Sequence, residues 1–148
     1  MSEAFVAKLI ESDDLMTFIR DGEEGEVRIY AAGSLGQGQE TGGNPPAPKL
    51  PYVVWNELPS APHRVVEEVS NAQHRFFTFH VYDEGGSLST ITSMLMLIRD
   101  VIKDLAPFVT TDEGRCIESR WLGFSGFIPD PEYDSTVRFG TARLQTSQ

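Results

Sequence analysis

A single cysteine, Cys116, leaves the chain without any internal disulfide to brace its fold. Histidine is scarce as well: His63, His74 and His80 have no chelating partner at the short spacings a zinc site uses, so no metal is expected. No apolar run approaches the roughly 20 residues that a bilayer crossing needs. The first residues carry neither a basic leader with an apolar run nor a cleavage signal, and a reducing cytoplasm is the expected environment. Positive charge is in short supply: 22 acidic against 12 basic side chains give a formal charge of −10. Repulsion then opposes close contact with phosphate backbones or anionic lipid, and tight nucleic-acid binding is not expected. The acid gathers early, at Glu3, Glu11, Asp13, Asp14, Asp21, Glu23, Glu24 and Glu26, as a solvated helix face and loop would.

What is present is enough for one domain. At 148 residues the chain can bury a real core but is too short for two ordinary units. Ser2 to Arg20 carries a helical apolar pattern that breaks at Ser12-Asp13-Asp14, where a second helix could be capped; one kinked helix and two short ones both fit. Glu26 to Gly33 reads as a strand. It enters "SLGQGQETGGNPPAPKL", Ser34 to Leu50, with four glycines and three prolines in 17 residues, a composition that predicts a long, exposed, mobile loop. Pro51 to Leu58 is a second strand. From Arg75 to Tyr82 nearly every residue is aromatic or β-branched, with Phe77, Phe79 and Val81 on one side and Phe76, Thr78, His80 and Tyr82 on the other.

After Asp83-Glu84-Gly85-Gly86 the rhythm changes. Ile91, Met94, Leu95, Ile98, Val101, Ile102 and Leu105 follow at helical spacing, with Ser87 placed to cap the start and Pro107 to stop the chain beyond the end. Arg115 to Phe127 and Ser135 to Gln145 are further strand patterns, the first with glycines that suggest a bulge. The order predicts an α+β fold: a small, mostly antiparallel sheet of four to five strands, with the N-terminal and central helices on one face. Trp55, Phe77, Phe79, Val81, Leu95, Ile98 and Ile102 are the expected core.

Reactive chemistry is hard to find. Gly36-Gln37-Gly38 invites a phosphate-loop reading, but Asn44-Pro45-Pro46 follows instead of a helix start, and no Lys-Ser or Lys-Thr pair closes it. Cys116 in an apolar strand reads as a small buried side chain, and His80 as an amphipathic residue at a sheet surface or subunit boundary. Asp130 to Asp134 lacks the ligand alternation of a calcium loop and reads as a turn. The arginines of "RCIESRW" and "RFGTARLQ" suggest salt bridges to neighbouring carboxylates. No cofactor and no hydrolase, transferase or redox activity is expected. A two-faced sheet with helices on one side instead leaves apolar surface for another subunit.

Taken in order, the N-terminal helix, a strand, the glycine and proline loop, "LPYVVW", the strand "FTFHVYD" leading into "ITSMLMLIRDVI", and the closing "VRFGTARLQ" resemble the tail terminator proteins of long-tailed bacteriophages, also called tail-completion or minor tail proteins. The resemblance spans about Phe5 to Leu144 and rests on pattern. It implies a hexameric ring that caps the tail tube, stops tube polymerisation and offers a surface for head-tail joining. The implied partners are other copies of the chain, the major tail tube protein and a head-tail connector or stopper protein. The implied location is the head-proximal end of the tail in the virion, reached from the host cytoplasm. DNA would pass through the lumen without specific binding, helped by negative charge.

The interface residues expected on this reading are Tyr52, Phe76, His80 and Tyr82, with Gly36, Gly38 and Gly42 of the loop. Three other readings remain open: a head-completion or stopper protein of the neck; a small cytoplasmic α+β enzyme using His80 with Cys116 or Asp83; and a dimeric ligand-binding module. Limited proteolysis tests the loop, because its composition leaves little apolar area to offset ordering entropy. The first cuts are expected between Ser34 and Leu50, and first cuts elsewhere with this segment resistant would contradict that expectation.

Overall fold

Ser12 resolves the N-terminal pattern into two helices. Its backbone is extended, at φ −79° and ψ 102°, and its hydroxyl accepts a hydrogen bond from the Leu15 amide at 3.4 Å, which ends one helix and starts the next. In the computed structural model, which describes residues 2–33, 48–58, 72–110, 114–130 and 135–147, these are α1 (Ser2–Ile10) and α2 (Asp13–Ile19). They are followed by β1 (Ile29–Ala31), β2 (Tyr52–Leu58), β3 (Ala72–Glu84), α3 (Leu88–Lys103), β4 (Phe108–Thr110), β5 (Gly114–Phe124), β6 (Ile128–Asp130) and β7 (Ser135–Ser147). Of the glycine- and proline-rich segment, residues 34–47 lie outside the described residues.

The strands form one seven-stranded sheet in the order β1-β2-β3-β7-β5-β4, with β6 paired to β7 beside the main path. Every pairing is antiparallel except β1 with β2, which is parallel. The α+β class with a mostly antiparallel sheet therefore holds, with more strands than the four to five expected. The two unforeseen strands, β4 and β6, have three residues each, too short for an alternation to register, and each adjoins or contains a proline. β1 is also shorter than the Glu26 to Gly33 pattern suggested. Asp130 pairs with Ser135 where β6 meets β7; the turn expected over Asp130 to Asp134 falls on residues 131–134, which lie outside the described residues.

Long central strands give the sheet its rigidity. β3 pairs along its length with β7 and over seven positions with β2, which fixes the register of Phe77, Phe79 and Val81 toward the helices. These three are fully buried, together with Phe5, Leu9, Leu15, Ile19, Ile91, Met94, Leu95, Ile98, Ala142 and Leu144. Phe5 is the hub: its ring meets Phe77, Trp55 and Phe79 edge-on at centroid distances of 4.8, 5.3 and 5.4 Å. Trp55 itself is only partly buried, at the margin of the core. Across the sheet Trp121 lies over Gly140 so closely that a Cβ there would collide with its ring, so only glycine lets Trp121 reach Phe79.

The expected stripe of α3 is in place, with Ile91, Met94, Leu95, Ile98 and Ile102 buried. Ser87 occupies the position before the helix, but its backbone, at φ −95° and ψ 43°, is not in the capping conformation, and its hydroxyl caps nothing. Its carbonyl instead accepts the Ile91 amide.

A buried cation ties the helices to the sheet edge. Arg28 donates from Nε to the Pro51 carbonyl and from Nη2 to the Phe18 carbonyl, each at 2.9 Å, and lies 3.3 Å from Asp21. Lys49 also binds Asp21, and that hydrogen bond is the main cause holding the Asp21 carboxyl below the usual carboxylate range.

Ile98 gives the clearest test of the helix-on-sheet core. Ile98→Asp places an unpaired charge where no solvent reaches, and is expected to cost about 4 kcal/mol or to prevent folding. Urea denaturation followed by circular dichroism measures this; a parent-like midpoint would remove α3 from the core.

Candidate functional site

Because β-strand side chains alternate, the rows that send Phe77, Phe79 and Val81 to the helices send Phe76, Thr78, His80 and Tyr82 to the opposite face. On that outer face Leu58 lies opposite Phe76, Val54 opposite His80 and Tyr52 opposite Tyr82. On the other side of β3, Arg143 lies opposite Phe76, Phe139 opposite His80 and Val137 opposite Tyr82. No helix among the described residues packs here, since the helices pack on the residues of the other face. The face thus gathers aromatic and aliphatic side chains around His80, with His74, Thr78, Thr141 and Arg143 in the same side-chain register.

The aromatic groups form two contacts across strands. Tyr52 and Tyr82 stack at 4.8 Å with only 10° between their planes, and Tyr30 approaches Tyr52 edge-on at 6.2 Å. His80 leans on Phe139 at 4.9 Å. Among the expected interface residues, Phe76, His80 and Tyr82 are half-buried on this face, whereas Tyr52 is already covered, at 3% exposure. Gly36, Gly38 and Gly42 lie outside the described residues.

The groups proposed for an enzyme do not converge. Cys116 is buried among core residues on the helix side, where burial raises its thiol pKa and its Sγ donates to the Glu118 carbonyl. His80 faces the other way. Asp83 is buried at the end of β3, in the same side-chain register as Val81 and so on the helix face, accepting from the Glu84 amide at 2.8 Å. Among the described residues no three of His, Cys, Asp and Glu gather where they could hold a metal ion.

The arginines divide. Arg143 makes the expected kind of pair, 3.6 Å from Glu118. Arg138 does not: it donates to the Ser125 carbonyl and the Thr92 hydroxyl, with Phe124 and Phe127 at 5.0 and 4.8 Å from its guanidinium. Arg115 and Arg120 are exposed and form no ion pair among the described residues.

Sequence reasoning missed Phe139, although the alternation Val137, Phe139, Thr141 was there to place it. It could not have separated out Ile117 and Leu122. Register shifts between Cys116 and Glu118 and between Trp121 and Gly123 insert these two residues as bulges in β5, where they stand 47% and 48% exposed.

No family model and no curated protein sequence matches the chain. Among solved structures, it is similar to a chain from the virion of a native gene transfer agent particle, with a TM-score of 0.70 and 15% identity over 100% of this chain and 95% of that one. At that identity the likeness shows a shared fold.

The apolar setting of His80 has a consequence for pH. Desolvation lowers its pKa from the ordinary 6.5, so the folded chain binds its proton less readily than the unfolded chain does. The stability from neutral His80 is complete above about 6.5 and declines as the pH falls below it. Urea midpoints from pH 7.5 to 5 should therefore fall less in His80→Gln than in the parent, and identical slopes would contradict the assignment.

Proposed function

We propose that the chain is a structural subunit of a phage-like virion, and that within it the protein acts as a tail terminator: a hexameric ring that caps the tail tube, ends its polymerisation and supports joining to the head. The observation that carries this reading is the half-covered sheet. A face bearing Val54, Phe76, His80, Tyr82 and Phe139 has no helical layer among the described residues, and assembly into a larger body is the ordinary physical answer to such a surface. The fold likeness along the whole chain to a component of a gene transfer agent virion supports the same reading.

Charge fits the role. Asp13 and Asp14 are exposed on α2 in a chain of formal charge −10, and a surface of that sign facing the channel keeps passing DNA from adhering. No catalytic step belongs to this proposal, and no cofactor is required. The tube protein and the connector or stopper are the proposed partners.

Genetic complementation tests it. Infection without this protein should give tails of irregular, excessive length, or finished tails that do not join heads, with the second outcome alone pointing to a stopper. Tyr82→Arg, which sets a charge into the apolar face, should impair assembly far more than folding. Normal particles in the absence of the protein would overturn the assignment.

A further inference from the structure

The outer edge of β5 has an unusual makeup for an exposed strand. β4 pairs only with Gly114, Arg115 and Cys116, so from Ile117 to Phe124 no strand among the described residues pairs with that edge. Open edges are commonly protected by charges, prolines or bulges that turn the strand away. β5 has the bulges, but they present Ile117 and Leu122, two aliphatic side chains nearly half exposed. Between and beside them stand Arg115 and Arg120, exposed and free of ion pairs among the described residues in a chain of formal charge −10. In Arg120 the charge even sits opposite another arginine, Arg143, across the strand pair. Arg115 and Arg120, without ion pairs among the described residues, alternate with the two apolar knobs, and Glu118 between them is taken up by Arg143 at 3.6 Å, so the edge suits an acidic protein surface.

Such a surface exists on the chain itself. The turn between α2 and β1 exposes Glu23, Glu24 and Glu26, none of which forms an ion pair among the described residues, while Asp21 alone engages Arg28 and Lys49. The turn and the β5 edge lie at diagonally opposite corners of the sheet. Four strand spacings separate β1 from β5, about 19 Å. Along the strands, Arg120 shares the row of Arg143, Phe76 and Leu58, whereas β1 begins in the row of Val53, about 17 Å away. Neither corner can satisfy itself, and because the two point apart, a single twofold pair cannot join both.

We propose that the bulged edge of β5 docks the acidic turn of a second copy of this chain, so that subunits join head to tail. Head-to-tail contacts between different patches close into rings when the rotation allows. The inference rests on the ring reading above and gives it a specific joint, leaving the outer sheet face for the tube or the connector. Ile117 and Leu122 supply the apolar part of the contact, and Arg115 and Arg120 its orientation and charge match.

Two charge-reversed full-length chains test this. One carries Arg115→Glu and Arg120→Glu, the other Glu23→Arg, Glu24→Arg and Glu26→Arg; all five positions are exposed, and equal melting temperatures check that folding is kept. Sedimentation across a concentration series should show the parent associating and each variant alone weakened by about tenfold or more, through like charges at the joint. An equimolar mixture should recover the parent's association, because the β5 edge of each variant then meets a turn of opposite charge on the other. Leu122→Asp, which leaves both charged groups in place, should also weaken association. Variants that associate like the parent, a mixture that recovers nothing, or a parent that stays monomeric would each overturn the joint. If the variants also complement a particle-assembly defect that the missing protein causes, the joint is wrong while the virion role stands; if loss of the protein causes no defect, the role itself fails.

Discussion

A sheet has two faces, and the described helices of this chain cover one. The register of β3 determines which: once Phe77, Phe79 and Val81 are committed to the helices, pleating obliges Phe76, His80 and Tyr82 to the other side. The rest of the structure follows from that division. Phe5 and the buried stripe of α3 close the inner face, while on the outer face Tyr52 stacks on Tyr82 and His80 leans on Phe139. Stacking reduces the exposed area of these rings without removing it, which is why Phe76, His80 and Tyr82 are half-buried.

The same division separates the groups that hold the fold from those left at the surface. Residues whose loss should unfold the chain lie inside, at Phe5, Ile98 and the Arg28 cluster, where a buried guanidinium replaces water with two carbonyls and a carboxylate. Residues available to a partner lie on the outer face and along the β5 edge, where exposed Ile117 and Leu122 contribute little to the fold. A subunit that must be stable alone yet commit to an assembly benefits from keeping these sets apart.

Much of this was legible in the sequence because it depends on periodicity. The α3 stripe, the two-faced aromatic strand and the break at Ser12 are local patterns, and the structure keeps them. What was not legible depends on contacts between distant segments. β4 and β6 are strands because longer neighbours supply their partners, and three residues carry no period of their own. Ser87 has the right chemistry for a cap, but the backbone entering α3 comes at the wrong angle to use it. Arg138 could be read as half of a salt bridge only until the fold placed Phe124 and Phe127 at its guanidinium. Bulges in β5 shift the alternation within a single strand, so Ile117 and Leu122 could not be assigned a side from the pattern. Tyr52 was placed on the correct face, though its burial against Tyr82 and Tyr30 needs the pairing of three strands.

The central claim is that the outer sheet face becomes covered in an assembled particle. Hydroxyl-radical footprinting read by mass spectrometry addresses it directly, comparing the free chain with the chain in purified particles at Phe76, His80, Tyr82 and Phe139. The account predicts that oxidation of these four side chains falls sharply on assembly, while exposed Leu88 and Met96 of α3 serve as internal comparison. Equal labelling of the outer face in the two states would contradict it.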